Sequence, residues 1–328
     1  MLSLCSRRSF FLSAGPLVFA GRVLGRQQGA TFSTDVNLVN LLAVVRDEHG
    51  RFVKDLPERD FLLEEDGRPQ KISHFSQESN LPLTLGLLLD TSASMTRVLD
   101  DEREAAHGFL KEVLRPEKDR AFVLQFDSGV TEITRLTSSR RKLDQGLNTI
   151  SAEAVFARRR TAPHNGASTV LYDAVGLATG RTMAPVQGRK AIILLSDGMD
   201  AGSRTSLPEA IDAAQRADTL VYTIHIYAEQ PDAALLPRAT REKMAESLAK
   251  GKQVLERISL ETGAASYESA KGQQLREIFS GIQDELRNQY SMSYSPDPQD
   301  VKPGFRKISL RTKQNYVVRT RAGYFAGG

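Results

Sequence analysis

The chain has 328 residues, with 44 Lys and Arg against 40 Asp and Glu, so its formal net charge is +4. The surplus is local, because residues 1–31 carry four arginines and no acidic residue, which leaves 40 basic and 40 acidic side chains from residue 32 onward. A balanced body with 26% charged and 40% hydrophobic residues argues against a disordered chain and against a nucleic-acid-binding domain, which would carry its own basic stripe.

The first 31 residues are typical of an export signal. Arg7 and Arg8 precede an apolar run from Phe10 to about Gly21, which as a helix would rise only about 18 Å and is too short for a bilayer core of about 30 Å. We therefore expect a signal peptide and an exported, periplasmic or extracellular protein with no membrane span in its mature chain. The Ser-Arg-Arg-x-Phe-Phe-Leu string resembles the twin-arginine signal of bacterial export; a general secretory signal remains the alternative.

Cysteine chemistry plays no part in the expected mature protein. The only cysteine is Cys5, inside the expected signal. Once the signal is removed, disulfides, thiolate metal sites and cysteine nucleophiles are all excluded.

Residues 32–80 are predicted to form a small N-terminal β unit. Short apolar runs alternate with turn residues, and Asp66-Gly67 between two extended runs is a preferred two-residue hairpin turn. Residues 291–328 are predicted to form a C-terminal hairpin, with strands over 305–310 and 316–320. We expect the two terminal segments to pack together as one β annex.

Residues 81–290 are predicted to form the main α/β domain. Strand-like apolar runs occur at 83–89, 121–126, 191–195 and 220–226, and helical patterns near 98–114, 171–182, 208–216, 252–262 and 273–288. Continuous Val, Ile and Leu runs indicate strands buried on both faces. The sequence therefore predicts a doubly wound, mostly parallel sheet with helices on both faces, and a ligand site at the carboxyl ends of its strands.

Acidic and hydroxyl residues follow two of these strands. Asp90-Thr91-Ser92-Ala93-Ser94 comes directly after the first buried strand, and Ser196-Asp197-Gly198 follows the strand that ends near Leu195. Between them, Thr169 precedes a predicted helix. Either motif alone is weak, because Asp and Ser after a strand often form only a turn or a helix cap. All three in order indicate a binding site.

These motifs resemble the von Willebrand factor A family and its metal-ion-dependent adhesion site (MIDAS). The resemblance covers residues 82 to about 290, and the terminal segments resemble secreted acidobacterial proteins related to that family. It implies that Ser92, Ser94 and Thr169 bind the metal through oxygen, and that Asp90 and Asp197 bind it directly or through water. It also implies a protein partner that contributes an Asp or Glu carboxylate, and a non-enzymatic role. Ala167-Ser168 departs from the glycines frequent in the family before the threonine.

The donor chemistry favours a hard cation. Hydroxyls and carboxylates are oxygen ligands suited to Mg²⁺, with Ca²⁺ or Mn²⁺ as alternatives, rather than to zinc. We interpret Asp173 and Asp200 as capping or supporting groups and His225 as a core residue. Arg158-Arg159-Arg160 is interpreted as part of a solvated loop, and a specificity loop over the metal face that attracts an acidic partner is the alternative. The five histidines show no metal-ligand spacing.

An enzyme of a different class is the alternative. In a Mg²⁺-dependent hydrolase or phosphatase of the haloacid dehalogenase type, Asp90 would be the nucleophile. That chemistry usually requires a second aspartate two positions later as the acid and base, and this sequence has Ser92 there. The sequence therefore favours a binding module.

Overall fold

The structure is a computed structural model that describes residues 38–77, 81–155, 169–227, 236–269, 272–296 and 303–326. The expected export signal at 1–31, Ala167-Ser168 and the run Arg158-Arg159-Arg160 lie outside these residues. The strands are β1 Val39–Arg46, β2 Phe61–Glu65, β3 Arg68–Pro69, β4 Ile72–Ser76, β5 Leu83–Asp90, β6 Arg120–Phe126, β7 Val130–Thr137, β8 Arg189–Ser196, β9 Leu220–Ile226, β10 Ser266–Ser269, β11 Tyr290–Tyr294, β12 Gly304–Thr312, β13 Val317–Arg319 and β14 Gly323–Ala326. The helices are α1 Leu99–Val113, α2 Arg140–Leu147, α3 Leu171–Leu177, α4 Leu207–Arg216, α5 Arg238–Thr262 and α6 Gly272–Arg287.

A six-stranded sheet forms the centre of the α/β domain, in the order β10-β9-β8-β5-β6-β7. All neighbouring strands are parallel except β6 and β7, which are antiparallel. Every residue of β5, β8 and β9 is buried, as expected for strands covered by helices on both faces. The predicted fold class is confirmed.

The strand order reverses direction between β5 and β8. From β5 the chain moves outward on one side to β6 and β7, and then returns to the other side of β5 through β8. The carboxyl ends of β5 and β8 therefore flank the crevice where open α/β sheets bind ligands. Asp90 ends β5, and Asp197 directly follows β8.

Several elements of this domain were not predicted. The edge strands β7 and β10 and the helix α2 are short or weakly apolar, so their hydrophobic periodicity is a poor signal. Helix α5 was expected from residue 252 but begins at Arg238. None of its residues before Gly251 is buried, so that half lacks the apolar stripe by which a helix is recognised.

The two ends of the described chain form a β annex, which consists of β1–β4 and β11–β14. Its two four-stranded sheets have the orders β13-β1-β11-β4 and β14-β12-β2-β3. Side chains from both sheets share one hydrophobic cluster that includes Leu41, Phe61, Tyr290, Met292 and Ile308. As predicted, Asp66 and Gly67 adopt positive φ, at 48° and 78°, in a tight turn between β2 and β3.

The predicted C-terminal hairpin within 291–328 is wrong in its pairing. Strand β12 pairs with β2 and β14, whereas β13 crosses to the other sheet and pairs with β1. Strand β11, at the start of this segment, also pairs with β1. The terminal segments therefore pair directly with each other, and β13 pairs with the N-terminal unit instead of with β12, whose partner within the C-terminal segment is β14.

The annex packs against the amino-terminal edge of the central sheet. Arg46 and Arg319 both contact Glu285, near the end of α6. The same helix end reaches the start of β8, because Arg189 Nη1 donates to the Leu286 carbonyl at 2.5 Å. Arg321 pairs with Asp218, just before β9. The annex and the two aspartates of the crevice thus lie at opposite edges of the sheet.

Among the described residues, no helix has both the length and the apolar character needed to cross a membrane.

Candidate metal centre

Asp90 is the buried anchor of the loop that follows β5. Its side chain has no exposed surface. Its Oδ1 accepts a hydrogen bond from the Ser92 N–H at 2.8 Å, and its Oδ2 accepts one from Ser196 Oγ at 2.6 Å. The Thr91 N–H donates to the Phe126 carbonyl at 2.8 Å, which ties the loop to the end of β6. Asp90 therefore joins the carboxyl ends of β5 and β8.

The two serines of the same loop lead from Asp90 to Asp197. Ser92 Oγ and Ser94 Oγ are 3.1 Å apart, and Ser94 Oγ donates to Asp197 Oδ2 at 2.5 Å. Ser92 and Asp197 are buried, whereas Ser94 is exposed. The structure thus brings four of the five predicted site residues into one hydrogen-bonded chain, with Ser94 at its solvent side.

The loop after β8 depends on two glycines. Gly198 has φ of 78°, and a Cβ at this position would lie 2.2 Å from the Gly251 carbonyl oxygen of α5. A Cβ on Gly251 would lie 2.0 Å from the Asp197 carbonyl oxygen. A side chain at either position would displace backbone. This close approach holds Asp197, whose Oδ1 also accepts from the Met199 N–H at 3.0 Å, beside the β5 loop.

Thr169 lies at the same edge of the sheet. The N–H of the next residue, Val170, donates to the Asp127 carbonyl beyond β6 at 2.9 Å, and the Thr169 carbonyl accepts from the Ala201 N–H at 3.0 Å. Ala201 is four residues past Asp197 in the same loop. Thr169 is buried, at 8% exposure, and its backbone is held between the loops that follow β6 and β8.

The electrostatics of the site are those of crowded carboxylates. Burial, and then the charge of Asp197, raise the pKa of Asp90 to about 7. Glu102 of α1 is also fully buried, and burial together with the charges of Asp90, Asp101 and Asp197 raises its pKa well above the usual value. Neither carboxylate oxygen of Glu102 has a hydrogen-bond partner among the described residues.

Sequence reasoning missed Glu102. It lies three residues after Leu99 and four before Ala106, both of them core residues of α1. That spacing places it on the buried face of the helix, so the helical periodicity contained the signal.

The family comparison gives one result: residues 85–281 match the model of the von Willebrand factor type A domain. The chain belongs to this family. No curated protein sequence shows significant similarity to the chain.

Solved structures that resemble this chain have low sequence identity to it. A von Willebrand factor type A protein from Catenulispora acidiphila is 11% identical, with a TM-score of 0.49 over 88% of this chain and 73% of that one. Proximal thread matrix protein 1 from the mussel byssus is 13% identical, with a TM-score of 0.48 over 68% of this chain. The chain spans about half the length of that mussel protein, 51%. BatB from Bacteroides thetaiotaomicron is 17% identical, with a TM-score of 0.40 over 63% of this chain and 98% of that one.

Two further aspartates of this von Willebrand factor A domain stabilise its loops. Asp200 Oδ1 accepts from the Tyr172 N–H at 3.2 Å, at the start of α3. Asp173 Oδ1 accepts from the Thr205 N–H at 2.9 Å, and although burial opposes the shift, hydrogen bonds from Thr205 and Arg204 lower its pKa. Both side chains have the supporting role that the sequence predicts, because they hold the loop after β8 against α3.

The donor set of the site fits a hard divalent cation. Two of the five expected donors are carboxylates and three are hydroxyls, and within the described part of the chain no group of three or more His, Cys, Asp or Glu is placed to hold a metal. Asp90 is buried and has no positive partner among the residues that the structure describes, and the hydroxyls of Ser92 and Ser94 lie between it and Asp197. Oxygen donors of this kind suit Mg²⁺, Ca²⁺ or Mn²⁺.

His225 is buried, and burial lowers its pKa.

Proposed function

We propose that this protein is an exported, non-enzymatic binding module that captures an acidic group of a protein partner through a divalent cation. The cation, Mg²⁺ in the first instance, is held by Asp90, Ser92, Ser94, Thr169 and Asp197 in a MIDAS-type site. The single observation that carries the proposal is the hydrogen-bonded chain from Asp90 through the two serines to Asp197. It joins motifs that are about a hundred residues apart, as the separation of 103 between Ser94 and Asp197 indicates.

The composition of the site favours an acidic ligand. Three of the five proposed donors are neutral hydroxyls, so the two carboxylates only balance the charge of a divalent ion, and the ion keeps its affinity for a further anionic oxygen. Ser94 is exposed, which leaves the solvent side of the site accessible. A carboxylate from Asp or Glu of another protein supplies the hard oxygen that such an ion prefers.

Export is the second part of the proposal. It rests on the paired arginines Arg7 and Arg8 and the short apolar run after them. In a periplasmic or extracellular location the site would meet free Ca²⁺ and Mg²⁺ and other surface proteins. Expression with a reporter fused after residue 31, compared with Arg7→Lys plus Arg8→Lys, tests the twin-arginine route; export that persists in that variant contradicts it.

Metal binding is tested by thermal unfolding of the purified chain in EDTA and in 1 mM Mg²⁺. If the dissociation constant is about 100 μM, Mg²⁺ adds about 1.4 kcal/mol to the free energy of unfolding. Asp197→Ala is expected to remove this increase without unfolding the domain. Asp212→Ala, at a partly exposed carboxylate that pairs with Arg216 on α4, is the matched control and keeps it.

Equal melting curves in EDTA, Mg²⁺, Ca²⁺ and Mn²⁺ would refute the metal site. Partner capture is tested separately, by a pull-down from periplasmic or surface extract in Mg²⁺ and in EDTA. The proposal requires a protein that is retained in Mg²⁺, released by EDTA and not bound by Asp197→Ala.

The hydrolase alternative lacks support from the geometry of Asp90. Its side chain has no exposed surface, and both of its oxygens accept hydrogen bonds. A nucleophile must be in contact with the atom that it attacks, and a substrate phosphate does not reach a side chain without exposed surface. Mg²⁺-dependent turnover of a generic phosphate ester that Asp90→Asn abolishes would restore this alternative.

A further inference from the structure

We propose that a pocket beside the metal centre binds a large apolar side chain next to the acidic residue that the metal captures. The inference rests on the proposed function and specifies the partner. The preferred ligand is a protein segment in which Asp or Glu is adjacent to Leu, Met or Phe, within an otherwise acidic surface.

The pocket is continuous with the proposed metal site. Its volume is about 450 Å³, and Ser94 and Asp197 are part of its wall. The rest of the wall is largely apolar, with side chains from the β5 loop, the β8 loop, the end of β9 and helix α5: Met95, Met199, Ile226, Tyr227, Met244 and Leu248. A volume of 300–1,000 Å³ with apolar walls and a few polar groups is typical of ligand sites. A group bound at Ser94 and Asp197 therefore has apolar space directly beside it.

One wall comes from the half of α5 that does not pack on the domain core. The buried residues of this helix begin at Gly251, so residues 238–250 extend beyond the packed part. Within them, Thr240, Met244, Ser247 and Leu248 line the pocket, at the spacing of a single helix face. Pairs between residues four apart, Arg238–Glu242 and Glu246–Lys250, support the exposed side of the same helical turns.

Exposed apolar residues on this face indicate an interaction surface rather than a core. Leu248 is 37% exposed and Met244 is half-buried, although both are large apolar side chains. The wall also contains three methionines, Met95, Met199 and Met244. Methionine is flexible and polarisable, so a methionine-lined surface adapts to several apolar shapes. This favours a preference for large apolar side chains as a class.

Two cations at the pocket favour an acidic partner. Arg97 and Lys243 line it and are exposed. Within the described ranges, neither forms an ion pair with a carboxylate, in contrast to Arg238 and Lys250 on the same helix. With a divalent ion bound at the adjoining metal site, the electrostatic potential at the pocket is positive, although the chain from residue 32 onward has no net charge. Acidic residues that flank the captured Asp or Glu are therefore attracted to the pocket. A protein segment in which that residue is flanked by basic side chains is repelled.

The test uses fluorescein-labelled peptides and fluorescence polarisation against the full chain in 5 mM Mg²⁺. The peptides are Ser-Glu-X-Asp-Gly-Ser and Ser-Glu-Gly-Asp-X-Ser with X as Leu, Phe or Gly, and the same set with Asn in place of Asp and Gln in place of Glu. Burial of one large apolar side chain is expected to make the better Leu or Phe peptide bind about tenfold more tightly than its Gly counterpart. Replacement of both acids by their amides is expected to abolish binding.

Variants of the exposed helix half separate this pocket from the metal site. Met244→Gln plus Leu248→Gln is expected to reduce the preference for Leu or Phe to less than twofold, while the Mg²⁺-dependent rise in melting temperature stays unchanged. The matched control is Ala245→Gln plus Ala249→Gln, which places the same two glutamines on exposed positions of the same turns that are not part of the pocket wall. This control leaves the charge of the helix unchanged and keeps the preference.

The two proposals fail in different ways. If Mg²⁺ still stabilises the chain but Leu, Phe and Gly peptides bind equally or none binds, the pocket inference is overturned and the metal site stands. A preference that survives Met244→Gln plus Leu248→Gln also overturns it. If Mg²⁺ has no effect on melting, the proposed function fails, and the pocket inference, which rests on it, fails with it.

Discussion

The two edges of the central sheet treat buried carboxylates in opposite ways. At the amino-terminal edge they pair with arginine: Glu285 is contacted by Arg46 and Arg319, and Asp119, just before β6, by Arg115 at 2.8 Å. At the carboxyl-terminal edge, Asp90, Asp197 and Glu102 form no ion pair with any of the residues that the structure describes. One edge neutralises its own charge and the other does not.

The pKa shifts follow the same division. Burial tends to raise the pKa of Asp119, but hydrogen bonds from Arg115 and the Leu83 N–H outweigh it, and the pKa is lowered. The pKa of Asp90, which has hydroxyl and N–H donors but no cation, is raised to about 7. An edge that anchors the annex needs permanent internal charges, whereas an edge that takes a cation from solution must leave its carboxylates uncompensated. The difference therefore supports the proposed metal site.

The largest expected effect is at the amino-terminal edge of the sheet, where the buried carboxylates pair with arginine. Glu285→Gln keeps the shape of the side chain but removes the charge that Arg46 and Arg319 share, and their side chains are only partly exposed, at 30% and 28%. Breaking a buried pair leaves uncompensated charge, so we expect a loss of about 3 kcal/mol in the free energy of unfolding. Urea unfolding at pH 7 measures it.

The matched control for this loss is Glu246→Gln, in an exposed pair with Lys250 on α5. An exposed ion pair of this kind contributes about 0.2–1 kcal/mol to the free energy of unfolding. If both variants lose the same small amount, the annex is not held to the domain by this charge cluster.

The same substitution at the carboxyl-terminal edge is expected to have the opposite sign. Burial and the neighbouring acids raise the pKa of Glu102, so the folded state binds its proton more tightly than the unfolded state. The free energy of unfolding is then highest at low pH and falls as the pH rises above about 4.3, the pKa of a Glu side chain in the unfolded state. In EDTA, Glu102→Gln removes this fall, and we expect it to be about 2 kcal/mol more stable than the parent at pH 8.

Unfolding at a series of pH values between 4 and 8 measures this difference. The two proteins are expected to differ little at pH 4, where most of the parent Glu102 is protonated in both states. A difference that does not change with pH would show that packing, and not charge, distinguishes the two side chains.

Much of the fold was predictable because its signals are local. The continuous apolar runs of β5, β6, β8 and β9 have no interpretation other than buried strands once helices alternate with them, and the hydroxyl and acidic residues after β5 and β8 mark the carboxyl edge. Asp90, Ser92, Ser94 and Asp197 then converge because the strands β5 and β8 are neighbours in the sheet.

The parts that were missed depend on long-range contacts. Local sequence favoured a hairpin between β12 and β13, but β13 pairs instead with β1 from the other end of the chain, as between Val45 and Val318, and no local pattern encodes it. The first half of α5 has no buried face and therefore no apolar stripe that predicts a helix. Only the structure shows this half of the helix and the pocket that it lines. Glu102 is an acid at a core position, a conflict that sequence periodicity shows but does not explain.

The smallest expected effect compares the site with and without its cation. Asp90→Asn keeps an oxygen that accepts from the Ser92 N–H but removes one of two carboxylates that repel each other. The variant also loses the hydrogen bond that Asp90 Oδ2 accepts from Ser196 Oγ, and this loss offsets most of the relief from a buried, uncompensated charge. We therefore expect the variant to be only about 1 kcal/mol more stable than the parent in EDTA at pH 8. In 1 mM Mg²⁺ the parent gains about 1.4 kcal/mol and the variant gains nothing, so the order of their melting temperatures reverses. If the variant is instead less stable in both conditions, Asp90 serves mainly as a hydrogen-bond anchor for the two loops, and the contrast between the edges of the sheet is one of packing rather than of charge.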